Sequence, residues 1–293
     1  MNFSEKLRAL RKQFAFSQEQ LAEKIGVSRQ AITKWETDGG LPDVENLIAI
    51  AALFSVSIDD LLSEEKLVRA ASDYAYESLT EYDISGPTHF DIKVPGALEV
   101  NLTVADDEKL RVRLASNVLQ SLAQDYKVQL DEHRSRLDVD IRRVGPGSEA
   151  EGKEALFAFI SLPAKYCNDA ELSAACGVFR LNGTSCPVEF GGKTRGVYLE
   201  NVEGTVALNC STDMEIHANG LPAVLEINQI NATSVLRVPA GVQYFTKIKG
   251  KSNQIRFAMG GKPASDPSET DAEHCIELTG MNAELLIDRG AVR

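Results

Sequence analysis

Arg29, Gln30, Thr33 and Lys34 lie in one short run, SRQAITKWE, whose apolar spacing is helical. A guanidinium can fork onto guanine, and a carboxamide can pair twice with adenine. Such donors on one polar helix face suit the major groove of a DNA duplex. No enzyme signature stands beside it. The chain has no G-x-S-x-G elbow and no H-E-x-x-H pair, and Gly191-Gly192 and Gly260-Gly261 lack the Lys-Ser/Thr of a phosphate loop. Its acids are scattered along the sequence. No catalytic residue, no metal site and no cofactor is therefore expected. Cys167, Cys176 and Cys186 are spaced by 9 and 10 residues and could stack, with Cys210 apart. A thiol or metal sensor is one reading of them, and small buried or turn residues the other. No CxxC pair supports zinc. His89, His133 and His217 are isolated, and His274-Cys275 is a single pair. All four histidines read as surface or satisfied core.

The polar face needs elements to hold it. Over residues 1–65, helix-start signals follow one another quickly. Asn2 with Glu5 and Ser17 with Gln20 have capping-box spacing. Phe3, Leu7 and Leu10, followed by Phe14, form one apolar stripe, and Leu21, Ala22 and Ile25 form the next. Gly26 breaks that helix and Ser28 can cap another, running through Ile32 and Trp35 to about Thr37. Asp43 opens a fourth, with Leu47, Ile50, Ala51 and Phe54 on one face, and a short fifth is expected over 58–62. The inward positions Leu21, Ala22, Ile25, Val27, Ile32 and Trp35 would fix the angle of the central pair. Ser28, Arg29, Gln30, Thr33 and Lys34 are left outside. Residues 1–36 hold seven Lys/Arg against four acids, and residues 37–65 hold seven acids and no Lys or Arg. One side of the domain can thus meet phosphates while the other repels them. Lys6 and Lys24 read as solvated charges, Trp35 as core, and Glu36 as a helix-end or packing residue.

Three stretches carry a resemblance: FSEKLRALRKQF, SQEQLAEKIGVSRQAITKWE and LPDVENLIAIAALFSVSIDDLL. Residues 3–62 resemble the lambda-repressor/Cro type of helix-turn-helix domain, also called the XRE type. The resemblance implies that Arg29, Gln30, Thr33 and Lys34 face base edges or nearby phosphates. It also implies that Gln18, at the start of the preceding helix, contacts the DNA backbone; Ser28 is placed there with it. The sequence bound is not implied.

Residues 66–87 read as a linker that could extend a helix until Gly86-Pro87. From 88 to 293 the period changes to two. Phe90, Ile92 and Val94 alternate, as do Leu98 to Val104 and Leu110 to Leu114; 117–125 could be a short helix. Strand starts then recur at Val178, Val188, Val197, Val206, Met214, Val224 and Val235, in steps of 8 to 11 residues, separated by Asn and Gly. Strands so short cannot bury a face alone. Coils of about 19 residues with two strands each would share one narrow core, and Asn182, Asn209 and Asn228 suit amide ladders at stacked turns. The expected architecture is an all-α five-helix domain followed by an all-β domain, a β-solenoid with its core over 156–260. A β-sandwich is the alternative. FISLPAKY, CGVFRLNG, GVYLENVEGTVALNC and VLRVPAG give 90–260 a diffuse similarity to the bacterial adhesin-like β-solenoid domain of unknown function, which implies a fold only. CIELTG and AELLID would add a last strand pair.

At 293 residues, two domains are the natural partition. The net charge of −12 excludes a uniformly basic coat and a polybasic membrane anchor. No apolar run approaches the roughly 18 residues of a membrane span. The first residues are charged and lack a signal core, so a cytoplasmic location is expected. Five cysteines imply no disulfide framework there. The expected function is a sequence-specific transcription regulator, a repressor, bound to double-stranded DNA. One helix-turn-helix reads few base pairs, so a homodimer or higher homo-oligomer is expected, with half-sites about 34 Å apart or a multiple of that. The β-domain would supply oligomerisation or the input of an unidentified effector. The alternative is a scaffold protein whose solenoid self-associates or binds a protein partner, with the helical domain as a DNA tether.

Overall fold

Ser17 and Ser28 each open a helix in the computed structural model, which describes residues 3–13, 16–37, 39–54, 74–146, 149–269 and 271–290. These fall into two units, one ending at Tyr76 and one beginning at Glu77. The first contains α1 (Phe3–Gln13), α2 (Gln18–Ile25), α3 (Arg29–Glu36) and α4 (Val44–Phe54). The Ser17 hydroxyl accepts the Gln20 N–H at 3.1 Å and the Gln20 carboxamide accepts the Ser17 N–H at 2.8 Å, a complete capping box. Gly26 ends α2 at φ +74°, where a Cβ would be strained, and Val27 N–H reaches back to the Ala22 carbonyl at 2.9 Å. Ser28 Oγ accepts the Ala31 N–H and Asp43 accepts the Asn46 N–H, so α3 and α4 start where their caps predict. Phe3, Leu7, Leu10, Leu21, Ile32, Trp35, Leu47, Ile50 and Phe54 meet in one core, with Ile25 and Val27 packed against it. Lys6 departs from its expected role as a solvated charge. It is fully buried, because it lies next to Leu7 and one turn before Leu10 on the inward side of α1. Asn2 and Phe14, with the helix expected over 58–62, lie outside the described residues.

The second unit is β-rich. It contains β1 (Tyr76–Asp83), β2 (Thr88–Ala105), β3 (Lys109–Ser116), a single helical turn α5 (Leu122–Asp125), β4 (Tyr126–His133), β5 (Arg136–Arg143), the helix α6 (Glu149–Ala155), β6 (Phe157–Pro163) and β7 (Cys167–Thr184). Then come β8 (Val188–Lys193), β9 (Gly196–Val202), β10 (Thr205–Cys210), β11 (Glu215–Asn219), β12 (Val224–Ile230) and β13 (Thr233–Pro239). The chain closes with β14 (Tyr244–Ile248), β15 (Gln254–Met259), β16 (Lys262–Ala264), β17 (His274–Met281) and β18 (Glu284–Gly290). Strand β1 occupies part of the stretch read as linker. Helix α6 has a polar sequence with no apolar stripe to announce it; Gly152 lets it approach β2, since a Cβ there would meet the Gly96 carbonyl.

Alternate strands pair in parallel. Val188 lies opposite Val206, Thr205 opposite Val224, and Val224 opposite Cys275, which joins β8, β10, β12 and β17. Val178 lies opposite Gly196, Gly196 opposite Glu215, and Glu215 opposite Val235, which joins β7, β9, β11 and β13. From β7 to β13 each strand thus lies on the second strand after it. Each buried position therefore meets its like two strands on. Phe190, Leu208, Ile227 and Leu278 form one buried row, and Val197, Ile216, Leu236 and Ile287 another. Phe179 and Phe190 stack with ring centroids 4.4 Å apart. Asn201 Nδ2 donates to Asn182 Oδ1 at 3.0 Å, and Asn282 Nδ2 to Asn231 Oδ1 at 2.8 Å. Asn209 turns instead to Glu189.

The last strand pair is not added at the end of the row. Strand β17 pairs with β12 on one side and β14 on the other, and β18 likewise with β13 and β15. The chain steps past a vacant position, turns back through the antiparallel β15–β16 pair, and fills it. Gly280 permits the insertion at one corner. It sits at φ +109°, and a Cβ would strike the Gln229 carbonyl.

Candidate nucleic-acid interface

The ends of α3 are fixed by different chemistry. At its start Ser28 spends its hydroxyl on the Ala31 N–H, which leaves Arg29 in the first helical position and fully outside. Gln30, Thr33 and Lys34 are exposed with it. Among the described residues the side chains of Arg29 and Gln30 have no partner, the Thr33 hydroxyl reaching only the Arg29 carbonyl, so both side-chain donors are free to meet a ligand. The Lys34 stem runs along Gly39, where a Cβ would meet its Cγ at 2.8 Å, and the Lys34 carbonyl takes the Gly39 N–H at 2.8 Å. A residue with a side chain at Gly39 would displace the stem of a lysine on the presented face.

At the other end of α3, Glu36 is buried, its side chain 1% exposed. Arg11 of α1 grips it with both ends of the fork, Nε to Oε1 at 2.6 Å and an Nη to Oε2 at 2.9 Å. Gln18 Nε2 donates to Oε2 at 2.8 Å, and Arg8 donates to the Glu36 carbonyl at 2.6 Å. Arg11 also reaches the Phe16 carbonyl at 3.0 Å. Gln18 Oε1 accepts from the Thr33 hydroxyl at 3.2 Å. One carboxylate therefore ties α1, α2 and α3 together, and Gln18 is held by its amide nitrogen at the edge of the presented face. Glu36 is a packing residue, as its position suggests. Arg11 is not a phosphate-facing charge: its fork is spent internally. Nothing in the local pattern marks Arg11 and Glu36 as partners, since the whole of α2 separates them in the chain. The one available signal is that each stands beside the apolar stripe of its own helix.

Burial pushes the Glu36 carboxyl up, but the hydrogen bonds from Arg11 and Gln18 and the charges of Arg11 and Arg8 outweigh it, and the group is held below its ordinary 4.5. A depressed folded value means the carboxylate stabilises the fold at pH above about 4.5, the unfolded value, and that this is lost as pH falls through the folded one. The helical unit should thus lose stability as pH drops from about 5, and Glu36→Gln should flatten that dependence. Thermal melts of the helical circular dichroism signal between pH 7 and 3 check this. Parallel slopes for both proteins would refute it.

The histidines do not assemble into a site. Among the described residues no group of three or more His, Cys, Asp and Glu is gathered. His89 pairs with Asp169, His217 stacks on Tyr198 at 4.8 Å, and His274 lies 3.0 Å from the Pro222 carbonyl. No described helix is long and apolar enough to cross a membrane.

The helix-turn-helix family model HTH_3 matches residues 7–61. The chain is 52% identical over 71 residues to the HTH-type transcriptional activator BcrR of Enterococcus faecalis, which spans 24% of this chain and 35% of that protein. It is 37% identical over 79 residues to the uncharacterised HTH-type transcriptional regulator YqaE of Bacillus subtilis, 27% of this chain and 68% of that one. It is 41% identical over 61 residues to the cryptic phage CTXphi repressor RstR of Vibrio cholerae, 21% of this chain and 54% of that one. The P22 c2 repressor, solved with a synthetic operator, is similar at 35% identity, over 22% of this chain and 98% of its own, with a TM-score of 0.22. A candidate cell adhesion protein of Clostridium sporogenes is similar at 10% identity, over 73% of this chain and 100% of its own, with a TM-score of 0.39. The chain spans about a third of BcrR and about half of RstR.

Proposed function

This chain belongs to the XRE-type helix-turn-helix transcriptional regulators, and from that premise we propose that it binds operator DNA through α3 and represses by occupying it. The observation that carries this reading is the pair Arg29 and Gln30, exposed and unspent at the start of a helix whose other end is locked. Arg29 and Gln30 read base edges, while Thr33 and Lys34 extend the contact to bases or nearby phosphates. Gln18 and Ser28 lie against the backbone. An activator and a repressor both share this head. The head therefore decides where the protein binds and not the sign of the outcome. Repression needs only occupancy, so it is the outcome the head supports by itself. The work is that of a binding protein, not an enzyme, and its place is the cytoplasm, with the DNA.

The parallel registers, in which each strand lies on the second one after it, favour a solenoid over a sandwich, whose hairpins would pair sequence neighbours antiparallel. In this reading the β-unit supplies oligomerisation or signal input. Two copies are needed for a useful operator, and Leu41, just before α4, with Val44 and Ile48 on it, each more than half exposed, support self-association through the helical unit as well. The scaffold alternative draws on one strand edge: among the described residues β14 pairs with β17 alone, whereas β16 covers the outer edge of β15.

Selection of random duplexes on the purified full-length chain, read by sequencing, tests the proposal. A two-fold symmetric motif with half-sites about 34 Å apart, or a multiple of that, is expected. No enriched motif at moderate salt would overturn it.

A further inference from the structure

Cys167 begins β7, and Cys186 comes just before β8, the next strand. Strand β8 lies on β7 with Ala170 opposite Val188, so the chain returns Cys186 to the place it left Cys167. The two sulfurs stand 2.8 Å apart. The buried Thr184 hydroxyl lies 3.2 Å from Cys186 Sγ. A thiolate on Cys186 would therefore receive a hydrogen bond from the Cys167 S–H, while the Thr184 hydroxyl donates to the Cys186 carbonyl at 3.1 Å. Among the described residues no sulfur lies within hydrogen-bond distance of the other cysteines, and Cys176 has a hydrogen bond with the Thr194 side chain. Cys176, Cys210 and Cys275 are buried in the β-unit.

We propose that Cys167 and Cys186 form an oxidation site for small hydroperoxides, in which Cys186 attacks and Cys167 resolves. The Cys186 thiolate attacks one oxygen of hydrogen peroxide, an S–O bond forms, the O–O bond breaks, and the released oxygen leaves as water after taking a proton. Cys186 is then a sulfenic acid, oxidised by two electrons, and the peroxide is reduced. The Cys167 sulfur next attacks Cys186, the S–S bond forms and the S–O bond breaks. The leaving hydroxide takes the Cys167 proton and departs as a second water. Two thiols and one peroxide become one disulfide and two waters. The acid–base preferences of the thiols agree with this division. The Cys167 hydrogen bond lowers Cys186 to about 7 against the opposing effect of burial, while Cys167 is raised. Burial pushes Cys176 and Cys210 to about 12 and raises Cys275 as well. Asp169 opposes thiolate formation at both members of the pair, and His89 is bound to that carboxylate. Cys167 is the more exposed of the two, and Cys186 is 9% exposed, so the oxidant that fits is small. The product would join two successive strands of the β-unit covalently and close the segment between them.

The test uses the full-length reduced protein, hydrogen peroxide, alkylation of residual thiols and tryptic mass mapping. Cleavage places Cys167 with Cys176 in 166–180 and Cys186 in 181–193, so fragmentation must assign the bond. A dithiothreitol-reversible link between Cys167 and Cys186 is expected, with Cys176, Cys210 and Cys275 still alkylated after denaturation. In Cys167→Ser, dimedone should trap a sulfenic acid at Cys186. In Cys186→Ser, the total dimedone adduct should be at least about tenfold below that of Cys167→Ser, in step with the lost thiolate. Circular dichroism checks that both variants fold, and the wild-type map decides the matter if either does not. Full alkylation of Cys167 and Cys186 after peroxide, or a bond to any other cysteine, would overturn the proposal.

Discussion

Arg29→Ala combined with Gln30→Ala should abolish operator recognition while both units stay folded. The two side chains are exposed, and among the described residues neither has a partner, so their removal costs the helical unit nothing it uses for packing. A bidentate base contact is worth about 1–3 kcal/mol, so two contacts per head amount to roughly 2–6 kcal/mol, or about 30-fold to more than 10⁴-fold in affinity. Lys34→Ala should behave differently. A lost phosphate contact weakens binding to all sequences alike and lowers the salt slope by about 1. Fluorescence anisotropy on the selected operator and on scrambled duplex, across a salt series, separates the two. If the double variant retains both affinity and sequence preference, α3 does not read the DNA.

Arg11→Met should unfold the helical unit selectively. It leaves the Glu36 carboxylate, 1% exposed, without the fork that neutralises it. Breaking a buried pair from one side costs about 3–5 kcal/mol, against roughly 5–15 kcal/mol for a whole domain and the lower end for a small one. Glu36→Gln added to Arg11→Met should recover part of the loss, because it removes the stranded charge rather than a contact. The β-unit has its own core, so its transition should stay in place. Thermal melts followed separately in the helical and strand signals check this, and an Arg11→Met helical transition at the wild-type temperature would sink it. The same substitution frees the Glu36 carboxylate on which Gln18 is anchored, so operator affinity should fall even where the unit remains folded.

What the chain order specifies without help is what near neighbours in the chain can specify. Ser17, Gly26 and Ser28 satisfy or end the backbone hydrogen bonding of the turn beside them, so both ends of α2 and the start of α3 were legible. The outward placement of Arg29, Gln30, Thr33 and Lys34 followed from the helical period that also buries Ile32 and Trp35. In the second unit the period of two and the Asn and Gly turns marked the strands in the same way.

Pairing between distant segments could not be read so. Lys6 and Arg11 look like surface charges until the helices pack and one is covered and the other meets Glu36. Strands β17 and β18 carry the same alternation whether they end the row or enter its middle; the hairpin through β16 decided that they enter it. Cys167 and Cys186 were a spacing until Ala170 was set opposite Val188 and the two sulfurs met. Local geometry depends on backbone and side chains a few bonds apart, which the order of residues fixes directly. Register and burial depend on which surfaces exclude water together, and that is decided by the whole core at once.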